Sequence, residues 1–182
     1  MAKTRKTQYV ILGLLMHGSW TGYDIKKMVE QQLSHFWSES YGQIYPALQE
    51  MESEGLVTLI QEEHESRGER KVYSITEAGR NELAKWLRKP VEEEKLRYEV
   101  LLKLFFSGTM PVQESIRHIA DFKRRQEIKL SEVTLFEENL QNALEHSRDH
   151  TFYWLTVSCG KKVYKAYLEW CDEALDVLAS ME

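Results

Sequence analysis

The 182-residue sequence predicts a mainly α (α+β) protein built in two halves. Three observations predict it. Seven of the nine glycines precede residue 90, and Pro90 and Pro111 bracket a change of texture. Beyond that point the chain is almost free of helix breakers, which is the pattern of long helices. Just after Gly55 the apolar spacing changes from the helical period to alternation and stays so to Ile75, which places one β-hairpin among helices.

The elements follow in order. Tyr9 to Met16 is an apolar helix with Val10, Ile11, Leu14 and Leu15 inward. Gly13 within it suggests close contact with another element, and Gly18 ends it. Thr21 caps a second helix, with Asp24 at its third position and Ile25, Met28, Val29 and Leu33 on its inner stripe. A linker from Ser34 to Glu39 carries Phe36 and Trp37, expected beneath the turn. The third helix begins at Ser40, where Ser40 and Gln43 form an S-x-x-Q capping box, and Gly55 supplies the left-handed stop. Ile44, Leu48 and Met51 face inward, while Tyr41, Gln43, Tyr45 and Gln49 lie off that stripe. By itself this is an ordinary capped amphipathic helix. Pro46 should bend it or delay its regular start, turning Tyr41, Gln43 and Tyr45 outward together.

Residues 56–61 and 71–75 read as two strands around a polar loop with Gly68 at its tip. Thr76 caps a helix from Glu77 to Arg88 with Leu83, Trp86 and Leu87 inward, and Pro90 stops it. Three helices, a hairpin and a fourth helix within about ninety residues are the order of a winged helix-turn-helix. Polar and aromatic side chains at the start of the third helix are then candidates for base and phosphate contact: Ser40, Tyr41, Gln43, Tyr45 and Gln49. The wing offers Arg67, Arg70 and Lys71 around Gly68, suited to phosphate or minor-groove contact. Its Glu62, Glu63, Glu65 and Glu69 equally suit a solvated hairpin.

These residues resemble the PadR family of bacterial transcriptional regulators. The resemblance rests on Tyr41-Gly42-Gln43-Ile44-Tyr45-Pro46-Ala47-Leu48, on Glu54-Gly55-Leu56-Val57, on the wing from Arg67 to Tyr73, and on Ile75-Thr76-Glu77-Ala78-Gly79. It covers about half the chain. Gly160 through Trp170 is more weakly similar to the C-terminal domain of the larger members. The resemblance implies a homodimeric DNA-binding repressor of nearby genes, with residues 1–90 as the DNA-binding domain and 91–182 as a helical dimerisation domain. It also implies an effector, a phenolic acid in the name-giving members, bound near the dimer interface and releasing the DNA.

In the second half, Arg97 to Ser107 predicts a short helix with Val100, Leu101, Leu104 and Phe105 apolar. Pro111 to about His146 predicts one long helix with Ile116, Ile119, Leu130, Val133, Leu140 and Leu144 on its stripe and a solvated middle from Lys123 to Glu127. A last helix starts at Ser147 or Asp149 and aligns Trp154, Val157, Tyr164, Leu168, Cys171, Leu175 and Leu178. Two long helices share too little surface to stand alone, so pairing with a second copy is expected. That pairing sets two recognition helices roughly 34 Å apart and implies an inverted-repeat operator. Trp154, Tyr164 and Trp170 are candidates to hold a small aromatic effector, although aromatics at helical spacing equally build a core. His118, Arg125 and Lys165 are further candidates for a carboxylate.

Composition sets the limits. The net charge is −5; residues 1–90 balance twelve basic against twelve acidic groups, and the whole excess lies in 91–182. DNA binding must therefore lean on a local basic patch, and the discriminating feature is whether Arg5, Lys6, Lys26, Lys27, Arg67, Arg70 and Lys71 share a face with Tyr41 and Tyr45. The alternative is a winged-helix protein-interaction module whose acidic half binds a partner. No apolar run spans a bilayer and no cleavage site follows the basic start, so the cytoplasm is expected. Two cysteines, Cys159 and Cys171, make neither a disulfide framework nor a metal site. His146 and His150 lack a third ligand, and no phosphate loop or nucleophile motif occurs, so no enzyme, metal or cofactor is expected.

Overall fold

The computed structural model describes residues 6–65, 68–93, 96–141 and 148–181, without the side chains of 61–70 and 141. Contacts divide the chain into two units, Met1–Glu93 and Glu94–Glu182.

The first unit is a winged helix-turn-helix. Its elements are α1 (Thr7–Leu15), β1 (Trp20–Thr21), α2 (Gly22–Met28), α3 (Tyr41–Ser53), β2 (Val57–Glu65), β3 (Gly68–Ile75) and α4 (Glu77–Leu87). A π turn at Val29–Leu33 prolongs α2. One apolar cluster joins all of them: Ile11, Leu12 and Leu15 from α1, Ile25 from α2, Ile44, Leu48 and Met51 from α3, Val57, Tyr73 and Ile75 from the sheet, and Leu83 from α4.

Several sequence expectations change here. α1 packs against α3, α4 and β3 together, so its buried face is wider than one stripe. Tyr9 and Leu12 are buried, whereas Val10 and Leu14 are only half-buried. Tyr9 stacks on Trp86 with ring centroids 4.5 Å apart. Gly13 makes no close contact, because nothing lies within 4 Å of a Cβ placed there. Phe36 is 55% exposed rather than tucked beneath the turn, and Leu87 is 66% exposed because α4 has only one buried turn, around Gly79 and Leu83.

The hairpin is longer than its apolar residues indicate. β2 pairs antiparallel with β3 from Val57↔Ile75 out to Glu65↔Gly68, which makes Gly68 a paired residue rather than a loop tip. A two-stranded ribbon beyond the core needs only backbone hydrogen bonds, so its charged sequence carries no apolar alternation. A bulge between Leu59 and Gln61 marks where the ribbon leaves the core. β1 adds a two-residue third strand, Trp20↔Tyr73 and Thr21↔Val72, too short to show in the sequence.

Pro46 does not delay α3. The α-helix runs from Tyr41 with Ser40 as its cap. The carbonyl that loses a partner to Pro46 is that of Gly42, in the exposed first turn, where water can serve it. At the other end Gly55 takes φ +70°, the left-handed conformation that stops the helix, and Leu56 N–H bonds the Met51 carbonyl at 2.8 Å.

The second unit contains α5 (Glu99–Phe105), a 3₁₀ turn (Ser107–Thr109), α6 (Val112–Gln141) and α7 (Arg148–Ala179). The end of the helix expected to reach His146, with Leu144 and His146, lies outside the described residues. α6 and α7 pack along their length in two clusters, one around Val133, Leu140, Val157 and Tyr164, the other around Ile119, Phe122 and Cys171. The middle of α6 is not simply solvated: Gln126 is buried, and Lys123 pairs with Asp172 of α7 at 2.5 Å. The seam passes between the two clusters there, and polar side chains fill it. Among the described residues no helix is long and apolar enough to cross a membrane.

Candidate nucleic-acid interface

Two capped helix starts build the exposed face of the helix-turn-helix. At α2, the Thr21 hydroxyl accepts from Asp24 N–H at 3.1 Å and donates to Asp24 Oδ2 at 2.6 Å; Thr21 N–H also donates to that carboxylate at 3.2 Å. At α3, the Gln43 Oε1 accepts from Ser40 N–H at 2.9 Å and from the Ser40 hydroxyl at 2.8 Å. Each cap serves free backbone donors and fixes the direction of the first turn.

Each start also carries a Gly/Tyr pair: Gly22-Tyr23 at α2 and Tyr41-Gly42 at α3. Tyr23 and Tyr41 stack with centroids 6.4 Å apart and planes within 14°, and Tyr41 and Tyr45 follow at 6.1 Å and 23°. The three rings form an exposed ladder across both helices. Lys26 Nζ lies 5.9 Å from the centre of the Tyr41 ring and pairs with Glu30 at 2.5 Å. Loss of water around the Tyr41 phenol, then the neighbouring Tyr23 and Glu30, push its ionisation above the ordinary tyrosine value, while Lys26 opposes them. The phenol therefore keeps its proton at neutral pH and can donate a hydrogen bond to an acceptor such as a phosphate.

The sequence-derived residues divide by geometry. Tyr41, Tyr45 and Gln49 are exposed along α3. Ser40 and Gln43 are exposed but engaged with each other, so Gln43 offers only its amide N–H₂ outward. Lys71 is exposed on β3. Arg67 and Arg5 lie outside the described residues, as does the Arg70 side chain. Of the remaining basic groups, Lys6 pairs with Glu92 at 3.3 Å, Lys27 is exposed, and Lys26 reaches the tyrosine ladder. Tyr23 was missed by sequence reasoning. Its signal was its place two residues after a cap and off the Ile25–Val29 stripe, the same logic that singled out Tyr41.

The effector candidates do not converge. Trp154 and Trp170 sit sixteen residues apart on α7, about 24 Å along a helix. Tyr164 is buried beside Val133 and Val157, and Trp170 packs edge-on against Phe122 at 6.2 Å in the other cluster. Trp154 keeps a buried indole N–H with no partner among the described residues. A cleft of about 360 Å³ opens elsewhere in this unit, lined by Leu102, Lys103, Phe106, Ser107, Met110, Glu114 and His118.

The fold and this face define a winged-helix transcriptional regulator with a helical C-terminal unit. Residues 11–85 match the transcriptional regulator PadR-like family, and residues 96–179 match the virulence activator alpha C-terminal family. The chain is 30% identical to the negative transcriptional regulator PadR of Bacillus subtilis, over 96% of this chain and 98% of that one. The chain belongs to the PadR-like family of transcriptional regulators; such relatives are regulators, not enzymes. The crystal structure of B. subtilis PadR in complex with operator DNA superposes with a TM-score of 0.83 at 30% identity, covering 96% of this chain and 99% of that chain. The same protein in complex with p-coumaric acid gives 0.75 at 29% identity, covering 98% and 99%.

Proposed function

We propose that this chain is a homodimeric repressor that binds an inverted-repeat operator and leaves it when a small aromatic effector binds. The observation that carries the reading is the exposed tyrosine ladder at two capped helix starts, with Lys26 beside it. Helix N-termini present free N–H groups and a positive dipole end to phosphates, and exposed aromatics add contact to sugars and base edges. Tyr41, Tyr45 and Gln49 are the base-reading set, Ser40 and Gln43 hold the helix start, and Arg67, Arg70 and Lys71 belong to the wing. The B. subtilis relative, solved with operator DNA and with p-coumaric acid, supports both the DNA and the effector.

A second copy is favoured by what one chain leaves bare. Leu135 on α6, Phe152 and Leu155 on α7, and Leu102, Phe105 and Phe106 on or beside α5 are all more than 40% exposed. Apolar surface on this scale marks an association site. Residues 1–90 would then carry DNA recognition and 91–182 dimerisation, in a cytoplasmic protein with access to the chromosome.

The deciding experiment is a mobility shift with the DNA upstream of the protein's own gene, with and without p-coumaric acid. Saturable binding that weakens steeply with salt and is relieved by the acid supports the reading. Equal affinity for scrambled duplex at every salt concentration overturns it and favours a protein-interaction module. If DNA binds but the acid has no effect, the effector is of another class.

A further inference from the structure

Lys26 is the cation nearest the tyrosine ladder among the described contacts, yet its charge is already engaged. Its side chain is 14% exposed, wedged between the Tyr41 ring and Glu30, whose own side chain is 60% exposed. The Lys26–Glu30 pair joins the last turn of α2 to the π turn that follows it. An ammonium on an aromatic face beside the N-terminus of α3 is placed to meet a phosphate oxygen. In the free protein the Glu30 carboxylate takes that place.

We infer that Glu30 is a built-in competitor for DNA phosphate at Lys26, and that Tyr23 and Lys26 form a phosphate-contacting pair beside the base-reading residues of α3. This rests on the DNA-binding reading above. Nonspecific binding is almost wholly electrostatic, whereas operator binding adds base contacts. A carboxylate that must be displaced from Lys26 taxes both forms equally in free energy. Glu30 therefore lowers affinity for operator and nonspecific DNA alike and leaves the ratio between them unchanged.

The test measures fluorescence anisotropy of the full chain with its upstream DNA and with a scrambled duplex, across a salt series. The variants are Glu30→Gln, Lys26→Met, the double variant and Tyr23→Phe, with Glu54→Gln as a control for the same charge change at an exposed site on the far end of α3. Glu30→Gln should tighten binding to both duplexes about two- to fivefold, the range of an exposed ion pair. Lys26→Met should weaken both and reduce the log–log salt slope by about one ion. Tyr23→Phe should weaken both duplexes alike, since a phosphate contact carries no sequence. In the Lys26→Met background Glu30→Gln should change nothing. The inference is overturned if Glu30→Gln gains no more than Glu54→Gln, or if its gain persists without Lys26. Failure of the unsubstituted protein to bind either duplex overturns the DNA-binding reading itself.

Discussion

The Tyr45 ring lies against the bare Cα of Gly22: a Cβ added there would stand 2.6 Å from Tyr45 Cε1. The first residue of α2 thus sets where a reading side chain of α3 can stand. Tyr45 is half-exposed and free to swing away, so Gly22→Ala should change folding stability by less than about 1 kcal/mol. It should still cost about tenfold in operator affinity, because the ladder loses its end. Urea unfolding and anisotropy on one preparation separate the two effects. A large stability loss with unchanged binding would show that the contact matters to the fold alone.

Glu39 is 5% exposed and accepts from the Thr7 hydroxyl at 3.0 Å and the Trp37 indole N–H at 2.7 Å. It ties the linker before α3 to the start of α1. Glu39→Ala strands both donors and should destabilise by about 2–4 kcal/mol. Glu39→Gln keeps one acceptor and should cost less. Urea midpoints give the order; equal costs would mean that packing rather than hydrogen bonding holds the linker.

Thr76 closes the base of the wing. Its hydroxyl accepts from Gly79 N–H at 3.1 Å and donates to the Gly55 carbonyl at 2.7 Å, joining the cap of α4 to the stop of α3. Thr76→Ala should cost about 1–2 kcal/mol, and Thr76→Ser much less. Thermal unfolding of the two variants decides this, and parity between them would point to the lost methyl instead.

The Tyr98 and Tyr167 hydroxyls are hydrogen-bonded to each other. Burial first, then that bond, push Tyr167 up to about 12. A tyrosine raised in the folded state adds stability below the unfolded value near 10 and loses it as pH climbs toward 12. Stability should therefore fall between about pH 10 and 12, and Tyr167→Phe should flatten part of that slope. Urea midpoints at pH 8, 10 and 11 test the sign; a slope unaltered by the substitution would reject it.

Sedimentation at micromolar concentration should give twice the 21.5 kDa chain mass. Leu135→Glu, at a residue 62% exposed in the single chain, should shift the equilibrium toward monomer. A monomer for the unsubstituted protein would remove the dimer and the inverted-repeat operator with it.

The sequence by itself determined the order of the four helices and the hairpin in residues 1–90, the caps at Thr21, Ser40 and Thr76, the stop at Gly55, and the outward placement of Tyr41 and Tyr45. These are local properties, written in spacing and in residues that satisfy their own backbone. Only the tertiary structure decided what depends on neighbours distant in the chain. It widened the buried face of α1 to Tyr9 and Leu12, because three elements pack there at once. It extended the hairpin through charged residues, because cross-strand backbone bonds need no apolar pattern. It let α3 start at Tyr41 despite Pro46, because the carbonyl left unpaired lies where water reaches it. And it set Tyr23 and Lys26 beside Tyr41, since stacking across two helices depends on how those helices cross, which no spacing within either one records.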